Sequence, residues 1–300
     1  METNNDLFKR LSVVIPLRNM SGRLNSLFAE IKWLVAEDAQ VILVNDGSVD
    51  NTSNEIADYI LRNRFQEDIV VINTKFGGPG AARNIGKENA TRDWVCFWDA
   101  DDTRNLQLMK ARIDLNIETD LVVTDFQKIN AVEKLEVSKH KIVSSPTYDL
   151  LVNGGLWRVI FNSKFIQKID FLNLMVGEDL IYLAKVLDLS PQILKISEIT
   201  YFYHVGQEAQ ITNDKFINQN ALISLNELFE QMETQKIRRN KFIAVVLVKL
   251  IKTSLRNQKW ISFKILTRIM YRGNVQNLAR NLFLIFCGLI LMSKFKSLGK

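Results

Sequence analysis

The 300-residue chain has only two cysteines and four prolines, and it lacks any apolar run near the roughly 20 residues that a membrane-crossing helix needs. Cys96 and Cys287 stand far apart, each within an apolar stretch, and show no metal-ligand spacing. Buried thiols in a reducing compartment fit them better than a disulfide does. Met1 to Asp6 is polar and leads into a strand without an apolar signal segment, which predicts synthesis and residence in the cytoplasm. Acid is missing from one end altogether. From Lys236 to Lys300 there are 15 Lys and Arg and no Asp or Glu, whereas the other 235 residues hold 24 basic against 33 acidic, a net of −9. The overall charge of +6 therefore hides two parts that face different partners.

What is present is a globular composition, 47% hydrophobic and 24% charged. That is enough for one large domain, or a domain with an appendage. The most informative stretch runs from Trp94 to Asp102. Its apolar part reads as a buried strand, and Asp99, Asp101 and Asp102 follow at its mouth. Open α/β sheets bind ligands just beyond the carboxyl ends of their strands. Three adjacent carboxylates repel one another, so a cation that neutralises them makes physical sense. Their hard oxygens suit Mg²⁺ or Mn²⁺.

Around this stretch, strand and helix alternate. Leu11 to Pro16 is a buried strand stopped by proline, and Leu24, Leu27, Phe28, Ile31 and Leu34 mark an amphipathic helix. A strand over 39–44 runs into a loop in which Asp50 or Thr52 caps a helix of about 53–64. Residues 68–72 form a third strand, Gly77 to Gly80 a loop, and 81–90 a helix. This succession predicts a doubly wound parallel sheet with right-handed crossovers. Further on, 106–117 reads as a helix and 120–125 as a strand. The polar stretch 126–145 is a hairpin or an excursion. A strand over 156–161 follows, then a helix from Gly177 through Leu187, a strand near 193–196 and an aromatic edge strand over 200–204. From Asn218 onward the periodicity is helical.

Five ordered motifs between Leu11 and Asp214 resemble those of the family 2 glycosyltransferases, enzymes of the GT-A fold that move a sugar from a nucleotide donor. They are Ser12 to Asn19, with Pro16 and Asn19 in its turn; Val44 to Thr52; Gly80 to Gly86; Asp99-Ala100-Asp101-Asp102; and Glu178-Asp179. Asn45 departs from the pattern, since a second aspartate is frequent there. The resemblance implies an α/β fold, a mostly parallel Rossmann-like sheet flanked by helices with a C-terminal helical appendage. Residues 1–217 would be the catalytic domain, with a nucleotide-sugar half of about 1–105 and an acceptor half of about 106–217. Residues 218–300 would be the basic helical region.

The same resemblance implies roles. Asp101 would bind the metal, Mn²⁺ or Mg²⁺. Asp99 would hold the ribose or assist the ion, with Asp102 behind them. Asp46 would accept from the base, plausibly uracil of a UDP-sugar, with a helix cap the competing account. Arg83 would pair with the donor phosphates or with Asp99 itself, or be an ordinary surface arginine. Asp179 would be the general base of an inverting transfer to a hydroxyl, and Glu178 would shape the acceptor site. The alternative for both acids is simple stabilisation of a helix N-terminus. Trp157 and Arg158 look like acceptor-side residues, with core packing the other account of Trp157. His204 would reach metal or diphosphate, or be an edge-strand histidine.

The tail reads as membrane-facing. Phe242, Val245, Val246, Leu250 and Ile251 are helically spaced, with Lys249, Lys252 and Arg256 between them. Leu282 to Met292, bracketed by Arg280 and Lys294, is eleven residues long, which suits an interfacial helix on an anionic surface. Packing on the catalytic domain is the other possibility. The apolar richness and the absence of a base-reading motif argue against nucleic acid. Together these readings give a glycosyltransferase that builds surface polysaccharide on a glycan or lipid-linked acceptor, as a peripheral protein on the inner face of the membrane. A catalytically inactive sugar-nucleotide or lipid-surface binding module is the alternative.

Overall fold

The computed structural model describes residues 6–115, 118–130, 136–139, 145–206, 217–234, 237 and 240–254, and isolated positions between 282 and 289. Cys287, Arg256, Arg280, Lys294 and most of the basic tail lie outside the described residues. The chain divides into two units. The first comprises 1–140, 155–170 and 191–207, and the second 141–154, 171–190 and 208–300.

The first unit is built on a mixed, mostly parallel sheet of nine strands among the described residues. In chain order these are β1 (Leu11–Leu17), β2 (Gln40–Asp46), β3 (Ile69–Thr74), β4 (Trp94–Phe97), β5 (Thr103–Arg104), β6 (Leu121–Asn130), β7 (Glu136–Lys139), β8 (Val159–Asn162) and β9 (Ile193–Val205). Their spatial order is β3-β2-β1-β4-β8-β6-β9-β5, with β7 beside β6. The first four strands are mutually parallel, so their C-terminal ends share one edge. β1, β2 and β4 are almost wholly buried, as continuous apolar runs require. Helices α1 (Asn25–Ala36), α2 (Thr52–Asn63), α3 (Pro79–Glu88), α4 (Leu106–Arg112) and the short α6 (Ser163–Ile166) also belong to this unit. The second unit holds α5 (Pro146–Asn153), α7 (Glu178–Asp188), α8 (Ile217–Glu233) and α9 (Lys241–Ser254).

Several expectations are corrected. β1 runs one residue past Pro16, which pairs with Val44. The carbonyl of Val14 accepts from Trp98 N on the β4 side. Pro16, two residues on, faces that same edge where the β4 ladder has ended, so its missing N–H costs no rung. The loop expected over Gly77 to Gly80 is cut short because Pro79 takes the first turn of α3, a position where its lost amide is unneeded. The residue flanking the start of α2 is Asn51 rather than Asp50 or Thr52. The helix expected to reach Ile117 ends at Arg112, because Ile113 is extended.

The polar stretch after Asp125 contains a hairpin of β6 and β7. The strand expected over Leu156 to Phe161 starts later, because Leu156–Arg158 is a 3₁₀ turn. The two expected strands 193–196 and 200–204 are one, β9, and it is no edge. β9 lies parallel to β6 on one side and antiparallel to β5 on the other. Register shifts opposite Thr124 to Phe126 let the ladder absorb the polar Ser197-Glu198 interruption.

α9 is buried nearly all round, at Phe242, Ile243, Ala244, Val245, Val246, Leu247, Val248 and Leu250. Such a helix belongs to a core rather than to a surface. No described helix is long and apolar enough to cross a membrane.

Candidate active site

The loops after β1, β2 and β3 are held by side chains that accept from backbone amides. Asn19, in the left-handed region at φ 50°, accepts at Oδ1 from Val49 N at 2.9 Å and donates its backbone N–H to Ser48 Oγ at 3.0 Å. Asparagine tolerates that conformation better than most residues. Thr52 Oγ1 takes Met20 N, and Asp50 takes Ser21 N together with the amide and hydroxyl of Thr52. Asp46, 4% exposed, accepts from Gly77 N at 2.7 Å and Gly78 N at 2.9 Å. Gly78 adopts φ 89°, which a side chain would resist. The end of β2 thus fixes the glycine loop and the start of α3.

α3 lies close on β1. A Cβ at Gly86 would fall 2.2 Å from Val14 Cγ1, so the glycine is needed for this approach. The same helix presents the buried Arg83, whose Nη2 donates to Asp99 Oδ1 at 2.9 Å. This is the pairing with Asp99 that the sequence had left as one of three possibilities.

The acids past β4 sit in a tight turn, with Asp102 N donating to Asp99 O. Asp99 and Asp101 keep partial exposure, while Asp102 is buried. Asp102 accepts from Tyr201 OH at 2.7 Å and from His204 N at 2.8 Å. Burial foremost, then the charges of Asp101 and Asp99, push its carboxyl well above the usual carboxylate range, against the pull of those two donors. His204 is half-buried and its Nε2 lies 2.9 Å from Thr103 Oγ1. Burial first and then nearby Arg104 lower its pKa, which favours the neutral ring.

Trp157 stacks on Tyr201, with ring centroids 4.1 Å apart, and on Tyr203, and meets Phe126 edge-on. Arg158 is 3% exposed. It donates inward to Thr124 O at 3.0 Å and lies over the Phe126 ring, fixing the turn that carries Trp157.

Pro16, Asn19, Asp46, Arg83, Asp99 and Asp101 therefore follow from the ends of β1 to β4, and His204 joins them through Asp102. Glu178 and Asp179 lie in the second unit, in the first turn of α7, where Asp179 Oδ1 accepts from Leu180 N at 2.7 Å. The preceding residues are seated by the C-terminal helices. Ser224 Oγ of α8 donates to Val176 O at 2.6 Å, and a Cβ on Gly177 would come within 2.7 Å of Leu250 Cδ2 of α9.

Sequence reasoning missed Arg104, Glu30, Tyr201 and Thr103. One signal was available for Glu30. It falls on the buried stripe of α1 with Leu27, Ile31 and Leu34, where a lone carboxylate calls for a partner.

Among the described residues, no three His, Cys, Asp or Glu side chains converge as a ready-made metal centre. The chemistry of the donor set still suits a hard cation, because Asp99 and Asp101 crowd Asp102 with negative charge. Mg²⁺ commonly takes one or two carboxylates and completes its shell with substrate phosphates.

The family model described as "Glycosyl transferase family 2" matches residues 12–176. An uncharacterized glycosyltransferase of Haemophilus influenzae is 25% identical over 227 residues, covering 74% of this chain and 88% of that protein. The poly(ribitol-phosphate) beta-N-acetylglucosaminyltransferase TarS of Staphylococcus aureus is 23% identical over 221 residues. That match covers 70% of this chain but 38% of TarS, so the chain spans well under half of this longer relative. The crystal structure of S. aureus TarS 1-349 in complex with UDP-GlcNAc superposes with a TM-score of 0.64 at 16% identity, covering 87% of this chain and 79% of that one. The sheet and its flanking helices are accordingly of the GT-A type.

Proposed function

Because the chain belongs to glycosyl transferase family 2, we propose that this glycosyltransferase moves a sugar from a UDP donor to a hydroxyl of a glycan or lipid-linked acceptor, with inversion, in surface-polysaccharide assembly. The observation that carries the reading is the set of carboxylates past β4, mutually crowded and paired on one side with Arg83. A departing nucleoside diphosphate brings negative charge, and a site that combines a guanidinium with acids able to hold a cation is suited to it. The S. aureus TarS structure, in complex with UDP-GlcNAc, supports uracil as the base.

In this reading Asp99 and Asp101 hold Mn²⁺ or Mg²⁺, with His204 nearby, and Arg83 orients Asp99 and the diphosphate. When bound, the ion supplies charge stabilisation at the leaving phosphate. Asp46, through the glycine loop, and Asn19 and Pro16, through the turn after β1, shape the nucleotide side. Trp157 offers an aromatic face to the acceptor sugar, Arg158 props its turn, and Glu178 lines the acceptor side. Asp179 takes the proton from the attacking hydroxyl.

The test is release of UDP from a panel of UDP-sugars with Mn²⁺, Mg²⁺ or chelator. Metal-dependent release for one sugar supports the reading, and no release from any of them sinks it, leaving the inactive binding module. With the true acceptor, Asp179→Asn should lose about 10²- to 10⁴-fold in transfer while UDP-sugar binding persists.

The proposed location rests on the tail. Leu282, Phe283, Phe286 and Leu289 are helical and exposed, Phe283 at 69%. In an ideal helix of 100° per residue, positions 282, 283, 286 and 289 would fall within an arc of about 120°. With the acid-free charge of 236–300, that stripe suits an anionic bilayer surface, and the protein would act on the inner face of the cell membrane. Loss of flotation with anionic liposomes on deleting 280–300 supports this. Unchanged flotation overturns it.

A further inference from the structure

We infer that Arg104 and Glu30 form a neutral clamp that positions the Asp99–Asp102 turn for its cation, an inference that rests on the metal reading above. Arg104 is wholly buried, its side chain 0% exposed. One of its nitrogens, Nη2, donates to two carbonyls of the turn, Asp99 O at 2.7 Å and Asp102 O at 2.8 Å. A second, Nη1, donates to Glu30 Oε2 at 2.9 Å, and the Arg104 backbone amide donates to Glu30 Oε1 at 2.7 Å. The guanidinium also lies over the rings of Trp98 and Tyr201, with its carbon 4.7 and 5.2 Å from their centroids. Tyr201 pairs with Arg104 across β5 and β9 and donates its hydroxyl to Asp102. Every end of the turn is therefore tied to one side chain, and that side chain is tied to α1.

The partner matters as much as the clamp. An unpaired guanidinium held against a cation site would repel the ion it positions. Glu30, at 11% side-chain exposure, cancels that charge. Arg104 thus contributes rigid, forked hydrogen bonding without adding positive charge, which a lysine could not reproduce because its point charge cannot bridge two carbonyls and a carboxylate in one plane. Glu30 and Arg104 are positioning residues, acting on the cation through the turn and reaching neither substrate nor metal themselves.

The experiment is a titration of free Mn²⁺ by electron paramagnetic resonance, with the full chain and saturating UDP, beside calorimetric binding of UDP in chelator. In Glu30→Gln the unbalanced Arg104 should weaken Mn²⁺ uptake by about 10- to 100-fold, the usual effect of losing a group that supports a metal ligand. Arg104→Lys should weaken it similarly. Metal-free UDP affinity should stay within about twofold, because the turns after β1 and β2 are fixed independently. Glu30→Asp keeps the charge, so it should retain most Mn²⁺ affinity and serves as the better-folding variant. Wild-type Mn²⁺ affinity in Glu30→Gln and Arg104→Lys overturns the clamp. So does a parallel loss of metal-free UDP binding, which marks a merely structural role. Absence of Mn²⁺ uptake by the wild type defeats the metal reading itself, and the clamp with it.

Discussion

At the end of β2 a carboxylate accepts from two backbone amides, and past β4, on the same edge of the sheet, three carboxylates crowd together. Asp46 is matched by Gly77 and Gly78. Asp102 is instead raised by burial and by Asp101 and Asp99. The first arrangement is complete as it stands, since both oxygens serve the fold. In the second, like charges face one another, with Arg83 paired to Asp99, and the metal reading proposed above would add a cation there. Acids of one residue type at equivalent strand ends thus differ by what surrounds them, one matched by backbone amides and the others crowded by like charge.

The largest expected effect tests the crowded side. Asp101→Asn should reduce transfer by about 10²- to 10³-fold, the range for removing one electrostatic stabiliser. It should also let the Asp102 carboxyl titrate closer to its ordinary range, since one of the charges raising it is gone. Carbon-13 NMR of the aspartate carboxyls reads the second effect, and an unmoved Asp102 would dissolve the supposed crowding. The satisfied side should answer in stability. Asp46→Ala leaves two glycine amides without their acceptor and should cost about 2–5 kcal/mol by denaturant unfolding. A cost near zero would show that water replaces the carboxylate freely.

A smaller effect appears as pH dependence. Asp102 has a raised pKa in the folded state, so the folded protein keeps a proton that the unfolded chain has already lost. Its favourable contribution is complete below the ordinary value of 3.8 and is lost as pH rises through the raised folded value. Measured without divalent metal, the stability of wild type relative to Asp102→Asn should therefore decline from acid towards neutral pH. A flat difference would mean that Tyr201 and His204 compensate the charge fully. The smallest effect concerns Cys96. Burial pushes its thiol up and keeps it from solvent, so in a Cys287→Ser background the native protein should resist maleimide and react only on unfolding. Rapid native labelling would mean that β4 opens.

Much of this was legible before any coordinates. β1 to β4 and the acids after β4 announce themselves by continuous apolar runs cut off by polar clusters. The long β9 was not legible, because Ser197 and Glu198 break the apolar pattern and only pairing with β6 bridges them. The turn at Trp157 reads as strand from the sequence, since a 3₁₀ turn of Leu-Trp-Arg is as apolar as the strand it precedes. The burial of α9 follows from its apolar circumference once the whole helix is read. Lys249 and Lys252, set among the helically spaced Phe242, Val245, Val246, Leu250 and Ile251, mimic a two-faced helix.

The sequence by itself determined the alternation of strand and helix and which residues end each strand, because periodicity and turn chemistry act over a few residues. It also pointed to the family through ordered motifs, four of which lie within the matched residues 12–176. Only the tertiary structure decided that Glu30 would meet Arg104, 74 residues away, and that Tyr201 would reach Asp102 across 99. Such partners are selected by burial, where a charge or hydroxyl must find its complement in space, and no local pattern encodes the distance at which it will be found.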